Sequence, residues 1–144
     1  MRINLSRAMS AAAITALAIT GVAQATTVVG LTTDNRLLSF DHLAPGVLFS
    51  NVAVSGLGAG ESLVGIDLRP ATGQVIGVTG SGIYSLDVLT GAASRIGTGF
   101  TPTLDAAEYG IDFNPTVDRI RVVNSASGNR RLNPATGGAV LPVD

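Results

Sequence analysis

The stretch "GIDLRPATGQV" runs from Gly65 to Val75, and "GIDFNPTVDRI" runs from Gly110 to Ile120, one pattern written twice at a spacing of 45 residues. The match continues downstream, where "IYSLDVLTGAAS" (Ile83–Ser94) pairs with "NRRLNPATGGAV" (Asn129–Val140). Upstream, "NRLLSFDHLAPGVL" (Asn35–Leu48) takes the same slot. The turn glycines Gly46, Gly91 and Gly137 keep the spacing, at 45 and 46 residues. A period of about 45 residues is that of one four-stranded blade of a β-propeller.

Within each unit, short β-branched runs alternate with turn signals. The middle unit predicts strands over 64–68, 75–79, 82–87 and 92–96, and the last predicts strands over 109–113, 119–123, 129–133 and 138–141. The first unit contributes three strands, starting near Val28. Pro70 and Gly73 mark a tight connection, since proline presets φ and glycine takes a positive one. Asp87 with Gly91, and Asn133-Pro134 with Gly137, repeat this chemistry, and Asn114-Pro115 through Asp118 forms a further turn. The expected fold is all-β: antiparallel four-stranded repeats, propeller-like, with about three blades and therefore incomplete. A sandwich or a β-solenoid also fits the strand content, but the four-strand period favours blades. Three blades leave open edges, so either further chain or self-association is expected to cover them.

The first 25 residues stand apart. "MRINLSRAMSAAAITALAITGVAQA" carries Arg2 and Arg7, an apolar run from Ala11 to Val22, and a closing Ala23-Gln24-Ala25. That order is a secretory signal peptide with cleavage after Ala25, and the run is too short to cross a bilayer. The expected domains are a signal peptide over 1–25 and one β domain over 26–144, in an exported protein, periplasmic or extracellular, with no transmembrane segment after cleavage. The remainder holds seven arginines and no lysine against ten acidic residues, a formal charge of −3. That balance argues against nucleic acid as a partner. With no cysteine in the chain, no disulfide framework exists and packing must supply the stability.

No catalytic motif emerges. There is no Gly-x-Ser-x-Gly elbow and no phosphate loop, and His42 is the only histidine. No metal set or cofactor is expected: Asn114 to Asp118 lacks the acidic alternation of a calcium loop. Asp67 and Asp112 occupy the same repeat position, and both are expected to accept backbone amides at the following turn. The least ordinary feature is basic. Arg119, Arg121, Arg130 and Arg131 fall on two neighbouring expected strands, with Arg119 and Arg121 on one face. Guanidinium groups so placed suit a carboxylate, a sulfate or an acidic sugar. Pairing with Asp112 and Asp118 is the competing expectation.

"GLTTDNRLLSFD" (Gly30–Asp41), "LVGIDLRPATGQVIGV" (Leu63–Val78), "YGIDFNPTVDRIRVV" (Tyr109–Val123) and "NRRLNPATG" (Asn129–Gly137) resemble the DUF4394 family, bacterial proteins of unknown function. The resemblance implies a secreted or envelope-associated propeller-like domain that continues beyond Asp144. It transfers no activity. At Asn129–Arg131 the family more usually has asparagine, an apolar residue and arginine, a departure that sets Arg130 aside as a site residue. The function expected is a non-catalytic binding module with Arg119, Arg121 and Arg131 as ligand residues. Its partner is expected to be an anionic glycan or an envelope protein. An extracellular lyase or hydrolase completed by further blades, and a remnant without activity, are the alternatives.

Overall fold

The computed structural model describes residues 26–105 and 108–140; the expected signal peptide lies outside the described residues. These residues form strands and turns with no helix. Eleven strands follow in order: β1 Thr27–Leu31, β2 Arg36–Asp41, β3 Leu48–Ala53, β4 Leu63–Arg69, β5 Gln74–Thr79, β6 Ile83–Leu86, β7 Ala93–Ile96, β8 Tyr109–Asn114, β9 Arg119–Asn124, β10 Asn129–Leu132 and β11 Ala139–Val140. They make three antiparallel meanders, β1-β2-β3, β4-β5-β6-β7 and β8-β9-β10-β11. Within each sheet, strands adjacent in sequence pair, joined by short hairpin turns.

The sheets meet through their first strands, β1 against β4 and β4 against β8. One core lies between the first and second sheets, around Leu37, Leu63, Tyr84 and Leu86. The other joins the second and third through Ile76, Val78, Ile83, Phe113, Ile120, Val122 and Leu132. The second sheet is thus covered on both faces, which explains why β5 reads as an almost unbroken buried run, Ile76 to Thr79. Burying each such Val, Ile, Leu or Phe contributes roughly 1.5–3 kcal/mol.

The turn residues do what their types dictate. Gly73, at φ +71°, donates its amide to the Arg69 carbonyl at 2.8 Å and closes the turn that Pro70 opens. The Asp87 carboxylate accepts the amides of Leu89 and Thr90 at 2.9 and 3.0 Å. Asn133 accepts from Ala135 at 2.9 Å across buried Pro134, and Asn114 accepts from Thr116 at 2.9 Å across Pro115. Asp118 sits in the left-handed region at φ +49°.

Two glycines also join sheets. A Cβ on Gly91 would lie 2.1 Å from the Ala53 carbonyl oxygen at the end of β3, and one on Gly137 would lie 1.9 Å from the Ile96 oxygen at the end of β7. Each turn glycine therefore rests on the outer strand of the preceding sheet. Beside Gly91, the Ala93 amide bonds Ser55 at 2.8 Å and the Ser55 amide bonds the Gly91 carbonyl at 2.9 Å, a parallel bridge between sheets.

Candidate functional site: the arginine face of the third sheet

Strand alternation divides the third sheet cleanly. Phe113, Ile120 and Leu132 stand opposite one another and face the core; Asp112, Arg121 and Arg131 form the next row, on the other face. Arg119 shares that face, opposite Asn114. The structure therefore brings Arg119, Arg121 and Arg131 to one surface. Arg130 pairs with Val122 on the opposite face and donates to the Pro102 carbonyl, so it belongs to a different environment.

The Arg121–Arg131 pairing sets two positive groups directly across from each other, an arrangement that weakens a sheet. Asp112 flanks Arg121 in the same row and offsets part of that repulsion. Arg119 is steered by its own turn: its Nη1 donates to the carbonyls of Asp118 and Val117 at 2.9 and 3.3 Å. Side chains two apart on a strand stand about 7 Å apart and neighbouring strands about 5 Å apart, so the three guanidinium groups span one small patch.

Of the expected pairing with Asp112 and Asp118, Asp112 stands opposite Arg121, while Asp118 feels the Arg119 charge but makes its direct salt bridge elsewhere. Its partner there is Arg69, through Nε–Oδ1 at 2.9 Å and Nη2–Oδ2 at 2.5 Å. The bonds from Arg69 hold the Asp118 carboxyl below its usual range against the opposing effect of burial. This two-pronged contact fastens the end of β4 to the turn between β8 and β9. It also leaves the guanidinium groups of Arg119 and Arg121 to other partners.

Asp67 is a second correction. Its carboxylate accepts the Leu68 amide at 2.8 Å and the Phe113 amide at 2.7 Å, so it ties β4 to β8 rather than bracing the following turn. Asp112, at the same repeat position, is exposed on the arginine face instead. Identical residues serve differently because β4 has a sheet on each side and β8 does not among the described residues.

A further polar centre has no counterpart in the sequence reading. Glu61, in the loop before β4, receives hydrogen bonds from Thr79 at 2.8 Å, Ser81 at 2.5 Å and the Tyr84 hydroxyl. The Gly58 amide and Arg95 add contacts at 3.2 Å each. Burial pushes the Glu61 carboxyl up, but the bonds from Ser81, Tyr84 and Thr79 and the Arg95 charge outweigh it and bring it to about 2. Arg95 also lies 5.5 Å over the Tyr84 ring. A carboxylate held so firmly ionised is unsuited to proton transfer near neutrality; it braces the loop. The one available signal was a lone acid in the glycine-rich "GLGAGESLV", with partners spread over Thr79 to Arg95.

Among the described residues no three His, Asp or Glu side chains gather as a metal set. The class these features define is an all-β protein of three antiparallel meander sheets carrying a cationic sheet face. The family model for a domain of unknown function, DUF4394, matches residues 36–144, and the chain belongs to that family. No curated protein and no solved structure matches it.

Proposed function

We propose that the protein is an exported, non-catalytic binding module of propeller-like build that takes an anionic ligand, a carboxylated or sulfated glycan, on the arginine face of its third sheet. One comparison carries this reading. Aligned on the repeat, Arg121, Asn129 and Arg131 stand where the second sheet has Ile76, Ile83 and Ser85. Ile76 and Ile83 are buried beneath the third sheet, whereas Arg121 is exposed. The fold thus uses this face for apolar packing in one sheet and for positive charge in another. The like-charged Arg121–Arg131 pair taken by itself weakens the sheet, and an anion bridging the two would offset that repulsion.

The test is titration of acidic and neutral oligosaccharides against the wild type and an Arg119→Ala/Arg121→Ala double variant. The double variant is expected to lose roughly 2–4 kcal/mol of binding to the acidic ligand, from about 1.5–3 kcal/mol per charged hydrogen bond with incomplete additivity. Thermal stability should stay within about 0.5 kcal/mol of wild type, as for solvated surface residues. Unchanged binding combined with a lowered melting temperature refutes the site and makes the arginines structural.

A further inference from the structure

The edge of the first sheet is a second candidate for recognition. β4 lies outside β5 and β8 lies outside β9, but among the described residues no strand lies outside β1. β1 is nonetheless the counterpart of β5: "TVVGLT" (Thr27–Thr32) aligns with "QVIGVT" (Gln74–Thr79). The His42 amide donates to the Thr26 carbonyl at 3.2 Å, and the Thr32 amide donates to the Arg36 carbonyl at 3.0 Å. Antiparallel alternation then commits residues 26, 28, 30 and 32 to β2 and turns the N–H and C=O groups of Thr27, Val29 and Leu31 to the open edge. Beside that edge is a cleft of about 200 Å³ lined by Thr27, Val29, Ile66, Asp67, Leu68 and Val75.

We infer that this edge is a docking site for an extended segment of another polypeptide with the order glycine, β-branched apolar residue, aspartate, apolar residue. The protein contains two examples of what fits such a place, "GIDL" in β4 and "GIDF" in β8. The glycine and the aspartate of that order each have a contact behind them. A Cβ on Gly65 would lie 2.5 Å from Ile111 Cδ1, so the glycine makes room for the isoleucine of the next sheet. Ile66 is the counterpart of Ile111, and it lines the cleft, awaiting a glycine in the incoming strand. Asp67 stands opposite Ile76 and accepts the Phe113 amide. An incoming aspartate opposite Val29 takes the place that Asp67 has in the next sheet, beside Leu68, the counterpart of Phe113; the Leu68 amide donates to Asp67 while the edge is open. Backbone pairing supplies affinity and the alternate side chains supply selectivity, the usual division when a strand is added to a sheet edge.

The experiment titrates the full chain with a labelled peptide of the β8 sequence, YGIDFN, and with the same peptide carrying alanine for its glycine. Saturable one-to-one binding is expected, weakened about tenfold or more by the alanine and by Val29→Pro, which removes an outward N–H while sparing the β2 ladder. Amide exchange on the wild type gives a readout that needs no variant. The peptide should slow exchange at Thr27, Val29 and Leu31 by about tenfold or more, with Val28 and Gly30 little changed. Absence of binding, or binding without protection of those three amides, overturns the proposal. Edge amides protected before peptide is added overturn it too, in favour of a second copy if protection rises with protein concentration and of the chain's own residues if it does not.

Discussion

Replacing Glu61 by glutamine tests whether the first loop is held by one ionised side chain. Two of its donors are deeply buried, Tyr84 at 1% exposure and Thr79 at 0%. Thr79 keeps a second acceptor, the Gly82 carbonyl at 3.3 Å, so its loss is partial. One of the two oxygen positions must become NH2. On the Tyr84 side it points hydrogens at a hydroxyl that already receives the Gly58 amide at 3.1 Å and Arg95 at 2.8 Å. On the other side it takes the acceptor from Ser81 and Thr79, and either way a hydroxyl proton loses its partner. Stranding that hydroxyl proton costs about 1–3 kcal/mol. The lost ion pair with Arg95, whose side chain is 35% exposed, adds less than about 1 kcal/mol. Glu61→Gln should therefore destabilise by about 2–3 kcal/mol, a large share of the usual 5–15 kcal/mol. The pH dependence gives a second constraint. The folded carboxyl, at about 2, lies below its ordinary 4.5, so its stabilisation is fully present above 4.5 and is lost as pH falls toward 2. Discounted for screening at the open side of the loop, this loss is about 2 kcal/mol. Thermal melts of both proteins at several pH values provide the assay. The gap in melting temperature should be on the order of 10 °C near pH 7 and should close toward pH 2. A gap below about 2 °C near pH 7, or one that persists in acid, refutes the reasoning.

Two comparisons use residues that match in sequence but differ in surroundings. Gly137→Ala combines a positive φ with a clash against the Ile96 oxygen and should cost about 3 kcal/mol, whereas Gly46→Ala, with nothing within 4 Å, should stay within about 0.5 kcal/mol by chemical denaturation. Asp67→Ala orphans the Phe113 amide and should cost about 1–2 kcal/mol, while Asp112→Ala, which only removes an exposed charge opposite Arg121, should cost less than about 0.5 kcal/mol; equal losses would show that the two carboxylates do the same job.

The strands were legible because each is short, β-branched and bounded by a turn whose chemistry is local. Asp87 reaches amides two and three residues on, and Gly73 closes on Arg69 within one hairpin. Expected and observed bounds of the eight strands in the second and third sheets therefore differ by at most one residue at each described end. Contacts between sheets were not legible. Arg69 finds Asp118 across 49 residues and Asp67 finds the Phe113 amide across 46, distances at which spacing along the chain carries no directional information. The repeat even misled here, since it assigns Asp67 and Asp112 one role while their neighbours assign two. The Glu61 centre was hidden for the same reason: its donors come from β5, β6, β7 and the turn between them. For the arginines, period-2 alternation was enough to place Arg119 and Arg121 together, and the register of β9 with β10 added Arg131.

The outer faces of the first and third sheets are chemically unlike, and that difference constrains how the protein meets others. Leu37 and Ser39 point toward the second sheet, so Leu38 and Phe40 point away from it, on the side of Val28. Near them Leu48 is 44% exposed and Phe49, in the bulge opposite Ser39 and Phe40, is 57% exposed. The third sheet instead turns Asp112, Arg119, Arg121 and Arg131 outward, with Val123 among them. Stacking copies head to tail would press guanidinium groups onto leucine and phenylalanine, removing charges from water against an apolar surface. The first sheet suits an extended or apolar surface, in keeping with the open β1 edge beside it, while the third suits an anion. With the anion site and the open edge as proposed above, two dissimilar faces held in fixed relation by two shared cores would bring two different partners together.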